Sequence, residues 1–286
     1  MIRLAVRVAR DRADLLLAEL TVLAPGGFEE RDLGDVVEYA IYGAPGELPD
    51  IGSLDAAVGD AIVEVVTSEV GADWAERWRD WHRPLDVGPL RVRPPWEPAR
   101  PGALDVVIDP GQAFGTGSHP STRLTLELLV GLPAGGPLAD WGCGSGILAV
   151  AAARLGFSPV LACDVEPEAV AATLAAAAAN GIGAAEAEDA ANGIVAAEAA
   201  AGAAIVGGRC DLRRAAGPWA PTVTANLVRP LLLVVAARME RPPERLIASG
   251  LEVAEVDDVV AAFARHGLRL EARRDGDGWS AILLAR

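Results

Sequence analysis

Three glycines and one acid have the types and the spacing to hold a nucleoside. Gly142, Gly144 and Gly146 form a G-x-G-x-G turn, and Asp164 follows Gly142 by 22 residues. Glycine has no Cβ, so such a turn lets the backbone approach a ligand closely. A carboxylate about 20 residues beyond the turn is placed to bind the hydroxyls of a ribose.

The glycine spacing distinguishes between classes of nucleotide cofactor. A dinucleotide-binding turn reads G-x-G-x-x-G and cradles a pyrophosphate at the start of a helix. The spacing here differs, which favours a nucleoside without a pyrophosphate, and we take S-adenosyl-L-methionine as the cofactor. Two alternatives stay open on these residues alone. The turn could serve only the tight packing of strand on helix, or the protein could use a nicotinamide cofactor.

The segment around the turn predicts a strand, a helix and a second strand in that order. Residues 138–140 end one apolar strand, Ile147–Leu155 is an apolar helix that stops at Gly156, and residues 160–163 form a second buried strand. This pattern is half of a doubly wound α/β fold. Such folds bind their ligands outside the carboxyl ends of the strands, where the turn and Asp164 lie.

A second glycine-rich motif precedes this one, in the sequence LDVVIDPGQAFGTGSHPSTRLTLELL at residues 104–129. A strand leads into a loop that contains Phe114, Gly115 and Thr116, and a helix follows with Pro120 in its first turn. Such a loop is a candidate lid or clamp over a ligand. Thr122 lies in the first turn of the helix, where its hydroxyl either contacts a cofactor or satisfies the backbone.

Composition excludes several classes of protein. The chain has 286 residues, is 51% hydrophobic and carries a net charge of −15, so we expect one large and one small domain and no direct binding to nucleic acid. All 25 basic residues are arginines. The three cysteines form no C-x-x-C pair and the three histidines have no metal-ligand spacing. We expect reduced thiols, no metal, no signal peptide, no membrane span and a cytoplasmic monomer.

Residues 1–66 predict a small α+β domain with strands at 3–8, 35–41 and 61–67 and a helix at 13–23. It carries no chemical motif, so it is either a substrate-docking module or an appendage that adds stability. Residues 67–98 form a predicted linker rich in tryptophan and proline. Trp74, Trp78 and Trp81 share one helical face, which favours packing at the domain junction over stacking on bases.

Residues 99–286 complete the predicted α/β domain. Pro167 begins a helix over residues 166–180, a further strand ends at Asn226, and two strands at 268–273 and 279–285 flank a turn that predicts a hairpin. We expect a mainly parallel sheet with this antiparallel hairpin at its end. The alanine-rich residues 183–208 are interpreted as an insertion that forms an extra surface helix.

Two motifs, FGTGSHPSTRLTLELL and DWGCGSGILAVAA, closely resemble the PrmA family, the lysine methyltransferases of large-subunit ribosomal protein eleven. The resemblance extends upstream to DWAERWRDWHRPLDVGPLRVRPPWE and downstream through VTANLVRPLL and ASGLEVAEVDDV. It implies a Rossmann-like class I methyltransferase sheet, S-adenosyl-L-methionine as cofactor and a ribosomal protein as substrate. The chain departs from the family where an acid precedes the asparagine motif, since Ala220, Pro221 and Thr222 stand there instead.

The resemblance also implies which residues bind the cofactor. Thr122, Gly142, Asp164 and Asn226 match the main family positions, and Asp211 resembles the acid near the adenine amino group. The cofactor-binding set is completed by residues of the two glycine-rich motifs: Gly144, Phe114, Gly115 and Thr116.

Asn226 is also the candidate catalytic residue. Methyl transfer from a sulfonium to an amine creates little net charge, so catalysis depends on holding donor and acceptor aligned. Asn226 and nearby carbonyls would orient the amine. Leu227, Val228 and Arg229 follow without an aromatic side chain, which favours an aliphatic amine over a flat nitrogen. The alternatives are the same chemistry on another protein or small-molecule amine, and a non-catalytic protein that only binds the cofactor.

Overall fold

The computed structural model describes residues 2–13, 16–17, 20, 29–43, 62–69, 83–109, 119–187 and 202–286. The chain divides into two compact units, Met1–Trp81 and His82–Arg286. None of the helices in the described ranges is long and apolar enough to span a membrane.

The described strands of the first unit are β1 Ile2–Ala9, β2 Glu29–Asp32, β3 Val36–Gly43 and β4 Ile62–Glu69. They form an antiparallel sheet in the order β2-β3-β1-β4. The three predicted strands are confirmed, and residues 13, 16, 17 and 20 are helical, with Leu16 and Leu20 fully buried. Strand β2 escaped prediction because its sequence, EERD, is fully exposed and shows no apolar alternation.

The region expected to link the domains contains regular structure at both ends. Strand β4 runs past residue 66 to Glu69, and residues 70–82, with all three tryptophans of the predicted helical face, lie outside the described residues. From residue 83 onward the chain belongs to the second unit. There, β5 Leu85–Val87 and β6 Leu90–Arg93 form a hairpin, and β6 pairs in parallel with β7 Leu104–Val107.

The described strands of the main sheet in the second unit are β8 Leu138–Trp141, β9 Val160–Asp164, β10 Ala184–Ala187, β11 Ile205–Arg209, β12 Thr222–Asn226, β13 Arg245–Glu252, β14 Arg269–Gly276 and β15 Trp279–Ala285. Their order in the sheet is β10-β11-β9-β8-β12-β13-β15-β14. The first six strands in this order are parallel and the last two form an antiparallel hairpin, so the predicted fold class is confirmed.

Helices cover both faces of this sheet. The described helices are α1 Pro120–Val130, α2 Ile147–Leu155, α3 Pro167–Ala179, α4 Arg229–Arg238 and α5 Val256–Ala264. The first three contribute side chains to one apolar core, and α4 and α5 contribute to the other. Strand order reverses at β8, which has β9 on one side and β12 on the other. A ligand site is expected at the carboxyl ends of these three strands.

The prediction of a surface helix over residues 183–208 is wrong at both ends of that segment. Strands β10 and β11 lie there, and β11 pairs with β9 inside the main sheet. The buried side chains of Ile205 and Val206 explain the difference, since they supply the apolar pair that a sheet strand needs. Residues 188–201 lie outside the described residues.

Candidate active site

The glycine turn after β8 depends on backbone conformations that other residues adopt at a cost. Gly142, Gly144 and Gly146 have φ values of 76°, 51° and 80°, in the left-handed region. The N–H groups of Gly142 and Cys143 donate to the carbonyl oxygen of Cys163 at 2.8 and 3.0 Å. These two hydrogen bonds fasten the turn to the end of β9, immediately before Asp164.

Two of these glycines also leave space for close neighbours. A Cβ on Gly146 would lie 2.7 Å from the Cα of Thr173 in helix α3, so this glycine serves the packing of the turn on the helix. A Cβ on Gly142 would lie 2.4 Å from Cδ2 of Leu227, which follows β12. The alternative that the turn serves tight packing therefore holds for Gly146. The rest of the turn can still contact a ligand.

Asp164 lies beside the turn with its carboxylate held by backbone. One oxygen accepts from the N–H of Gly144 at 3.1 Å and the other accepts from the N–H of Glu166 at 3.2 Å. The side chain is only partly buried. A carboxylate oxygen can accept more than one hydrogen bond, so Asp164 retains acceptor capacity toward a ligand.

On the other side of the turn, Asn226 connects three elements through its amide. Its Nδ2 donates to Oγ1 of Thr122 in helix α1 at 3.2 Å, and its Oδ1 accepts from Oγ of Ser249 in strand β13 at 2.9 Å. The Thr122 hydroxyl thus meets a side chain rather than satisfying the helix backbone. His119 caps the helix instead, with Nδ1 accepting from the N–H of Ser121.

These residues border one cavity of about 550 Å³ at the carboxyl ends of β8, β9 and β12. Six predicted cofactor-binding residues are brought together in its lining: Thr122, Gly142, Gly144, Asp164, Asp211 and Asn226. The three predicted loop residues, Phe114, Gly115 and Thr116, lie outside the described residues.

Comparison with known proteins identifies the family. A model of the family described as "Ribosomal protein L11 methyltransferase (PrmA)" matches residues 54–286. The chain belongs to the PrmA family. It is 36% identical to a ribosomal protein L11 methyltransferase of Geobacter metallireducens, over 80% of this chain and 70% of that one. It is 30% identical to the Burkholderia cenocepacia protein of the same name, over 98% of this chain and 96% of that one.

A solved structure shows the same fold. The ribosomal protein L11 methylase of Lactobacillus delbrueckii subsp. bulgaricus matches with a TM-score of 0.56 and 24% sequence identity, over 71% of this chain and 98% of that one. The family and the fold confirm the predicted class I methyltransferase, with S-adenosyl-L-methionine as methyl donor.

The residues of this PrmA-family chain fit that cofactor. The cavity volume is in the range of small-molecule sites. Gly142 and Gly144 bring backbone to the cavity lining, and Asp164 offers a carboxylate for ribose hydroxyls. Asp211 offers a second acceptor. The hydrogen bond from Arg213, whose Nε lies 2.8 Å from Asp211 Oδ1, holds the pKa of Asp211 below its ordinary value, so this carboxylate is ionised.

Sequence reasoning missed the apolar wall of the cavity. Val165 and Leu212 directly follow the two predicted acids, Asp164 and Asp211. This adjacency in sequence was the signal that could have identified them as lining residues. The start of helix α4 and the residue before it lie in VTANLVRPLL, which resembles the family, but nothing in that stretch indicated that its apolar side chains line the cavity. The missed apolar lining residues are Ile147, Leu148, Val165, Leu212, Leu227, Val228, Pro230, Leu231 and Val234.

A buried carboxyl group lies beneath the site. Asp140 in β8 is fully buried and accepts a hydrogen bond from Thr224 Oγ1, in the neighbouring strand β12, at 2.8 Å. Burial raises the pKa of Asp140 to about 7, against the lowering effect of Thr224. Burial also raises the pKa of the Cys143 thiol, which lines the cavity. That thiol is therefore protonated and unsuited to act as a nucleophile.

Proposed function

We propose that this chain transfers a methyl group from S-adenosyl-L-methionine to lysine amino groups of ribosomal protein L11, the protein for which its relatives are named. The observation that carries the proposal is the single cavity that joins the glycine turn, Asp164 and Asn226 at the reversal of strand order. Family membership gives the chemistry, and the shared lining of six predicted residues supports the assignment of their roles.

The lining divides into two regions for the two ends of the cofactor. Asp164 would bind the ribose hydroxyls, and Asp211 with Leu212 would meet the adenine. Thr122 and Asn226 lie beyond the turn and would meet the methionine end. This assignment places the reactive sulfur near the end of strand β12.

Bound there, the cofactor supplies an electrophilic methyl group, and the chain's task is to hold the incoming amine and keep it neutral. Asn226 Oδ1 accepts one hydrogen bond from Ser249 and has a second lone pair for an amine N–H. The apolar wall formed by Leu227, Val228 and Leu231 excludes water. Desolvation lowers the pKa of a lysine amine, which frees its lone pair for in-line attack.

The residues after Asn226 favour an aliphatic amine as acceptor. The sequence Leu227-Val228-Arg229 provides no aromatic ring for stacking on a planar base or amide. The Val228 side chain is 63% exposed at the mouth of the cavity, where an apolar lysine stem can lie against it. The same chemistry on another protein amine remains the second candidate, because this mouth recognises the stem of any lysine.

The direct test combines purified protein, isotope-labelled S-adenosyl-L-methionine and purified ribosomal protein L11. The chain contains no lysine, so every methyl-lysine found by mass spectrometry derives from the substrate. We expect label on L11. In a parallel reaction with a cell extract in place of L11, label on other proteins together with none on L11 would support the second candidate. Cofactor binding without transfer in either reaction would contradict catalysis.

Replacing Asp164 with Ala tests the ribose contact. We expect cofactor binding to weaken by about 1–3 kcal/mol, because charge-assisted hydrogen bonds are lost. Isothermal titration calorimetry with S-adenosyl-L-methionine measures the change. Asp257→Ala is the matched control, since Asp257 is an exposed acid in the first turn of α5. Equal affinities for the Asp164 variant and the unaltered protein would reject the assignment.

We also propose that the first unit docks the substrate. A separate α+β unit without a chemical motif needs a purpose that the methyltransferase fold does not supply. A chain that begins at His82 follows the boundary between the units and keeps every described cavity residue. We expect it to bind the cofactor with unchanged affinity while L11 methylation falls by about a hundredfold, because the docking contribution is lost. Full methylation of L11 by the shortened chain would refute docking.

We propose that the protein acts as a cytoplasmic monomer and does not contact nucleic acid. The net charge of −15 opposes binding to a polyanion and suits a basic protein substrate. All three cysteines are buried free thiols, which agrees with a reducing compartment. Light scattering should give a molar mass near 29.5 kDa, and a mass twice as large would contradict the monomer.

A further inference from the structure

Two buried hydroxyl groups behind the cavity form a chain that ends on Asn226. Ser249 Oγ donates to Asn226 Oδ1 at 2.9 Å, and Thr125 Oγ1 lies 2.5 Å from Ser249 Oγ. Ser249 and Thr125 are fully buried, and neither belongs to the cavity lining. Both residues lie within stretches that resemble the family, but neither was singled out as a site residue there. The three side chains come from β13, α1 and β12.

The chemistry of the groups fixes the direction of this chain. A hydroxyl carries one proton and therefore donates one hydrogen bond, whereas an amide oxygen only accepts. Because Ser249 donates its proton to Asn226, the proton between the two hydroxyls is that of Thr125. Thr125 also donates to the carbonyl oxygen of Ser121 at 2.8 Å, so these two acceptors share its proton.

This arrangement selects one of the two orientations of the Asn226 amide. The oxygen end meets the Ser249 donor, and the nitrogen end donates to Thr122 Oγ1 at 3.2 Å. A 180° flip would place an N–H against the Ser249 proton, and both hydrogen bonds would be lost unless the hydroxyls of Ser249 and Thr122 also turned. Without Ser249, the oxygen end has no such donor and the amide orientation is no longer selected.

The local backbone keeps this contact close. Asn226 and Ser249 are register partners on the neighbouring parallel strands β12 and β13. The next residue, Gly250, has a φ of 80°, and a Cβ there would lie 2.7 Å from the carbonyl oxygen of Leu227 and 3.1 Å from Asn226 Oδ1. The position after Ser249 therefore has to remain without a side chain.

We propose that Ser249 is a positioning residue, supported by Thr125, which fixes the end of the Asn226 amide that faces the methionine end of the cofactor. The inference rests on the proposed role of Asn226. Asn226 then offers one remaining N–H and one remaining lone pair of Oδ1 toward the cavity in a fixed order. Neither Ser249 nor Thr125 lines the cavity, so both act through Asn226.

The test measures S-adenosyl-L-methionine affinity by titration calorimetry in the full chain, with urea unfolding in parallel. We expect Ser249→Ala to weaken binding about fivefold to twentyfold and Thr125→Val about twofold to fivefold, since each removes a hydrogen bond in the chain. The double variant should bind no more weakly than Ser249→Ala, because Thr125 acts through Ser249. Ser249→Cys, which keeps a weak donor, should restore part of the affinity.

Ser280→Ala is the matched control, because Ser280 is an equally buried serine in β15 whose hydroxyl donates to Asp275 rather than to a cavity residue. It should change stability without changing cofactor affinity. Unchanged affinity in Ser249→Ala, or losses that multiply in the double variant, would overturn the proposal. If Ser249→Ala fails to fold, Ser249→Cys and Thr125→Val decide, and both must weaken binding. Absence of L11 methylation would refute the proposed substrate while leaving these affinities interpretable.

Discussion

The cavity has two walls that achieve rigidity by different means. On the side of β9, the glycine turn presents backbone, and its shape depends on φ values that only glycine adopts without cost. On the side of β12 and β13, side chains form the wall, and Asn226 is held by Thr122 and Ser249 through hydrogen bonds of 3.2 and 2.9 Å. The glycine wall depends on positions that carry no side chain. The other wall depends on polar side chains that hydrogen-bond to one another.

This difference predicts different consequences of substitution. Adding atoms to the glycine wall forces backbone or a neighbouring helix to move, so the free energy of unfolding should fall. Removing a hydroxyl from the hydrogen-bonded wall leaves the backbone in place, so cofactor affinity should fall more than stability. Measuring both the free energy of unfolding and the cofactor affinity of glycine and polar variants therefore distinguishes the two walls.

The largest expected effect is that of Gly146→Ala. The new methyl group would lie 2.7 Å from the Cα of Thr173, and the residue would keep a φ of 80°. We expect a loss of about 2–5 kcal/mol in the free energy of unfolding, because backbone strain and overpacking add. Urea denaturation followed by circular dichroism measures it.

Gly181→Ala is the control that isolates backbone strain. Gly181 follows helix α3 with a φ of 65°, and no atom lies within 4 Å of a Cβ placed there. It should lose only about 1–2 kcal/mol, the cost of the left-handed conformation alone. Equal losses in the two variants would mean that the close approach of Thr173 does not contribute.

The glycine wall was predictable from the sequence because its determinants are local. The spacing of the glycines, the apolar helix after them and Asp164 all lie within 27 residues of chain, and the structure places the helix at Ile147–Leu155 as predicted. The turn needs only short-range steric rules, which act on neighbouring residues. The hairpin at the end of the sheet was predictable for the same reason, from Asp277 and Gly278 in its turn.

The hydrogen-bonded wall could be anticipated only through resemblance. Thr122 and Asn226 are 104 residues apart, and their hydrogen bond exists because strand β12 lies beside β8 and helix α1 packs over the sheet. Ser249 escaped notice because its partner is set by the register of two parallel strands, which no local pattern encodes. The alanine-rich segment misled prediction for a related reason, since pairing with β9 overrides the helix preference of alanine.

A middle-sized effect is expected from Asp140→Asn, in the strands beneath the two walls. Asp140 belongs to β8 and its hydrogen-bond donor Thr224 belongs to β12. The folded protein holds the proton of Asp140 up to about pH 7, while the unfolded chain releases it near pH 4. This group's stabilising contribution is therefore complete below pH 4 and is lost as pH rises through 7.

Between pH 5 and pH 7, the unaltered protein should lose about 1–3 kcal/mol of stability that the Asn variant does not lose. Denaturation midpoints at a series of pH values measure the difference. Parallel profiles for the two proteins would show that Asp140 is ionised in the fold. Thr224→Val removes the hydroxyl that donates to Asp140, which raises the pKa of Asp140 further. The pH range over which stability is lost should therefore extend to higher pH.

The smallest expected effect is that of Gly142→Ala, where the two walls touch each other. A Cβ there would lie 2.4 Å from Cδ2 of Leu227, but the clash involves the end of a flexible, partly buried side chain rather than backbone. We expect a loss of about 1–2 kcal/mol in stability, mostly from the φ of 76°. The double variant Gly142→Ala, Leu227→Ala should lose about 0.5–1 kcal/mol less stability than the sum of the two single variants. The shortened side chain at position 227 makes room for the new methyl group. Strict additivity would mean that Leu227 already moves aside without cost, and that the two walls are independent at their point of contact.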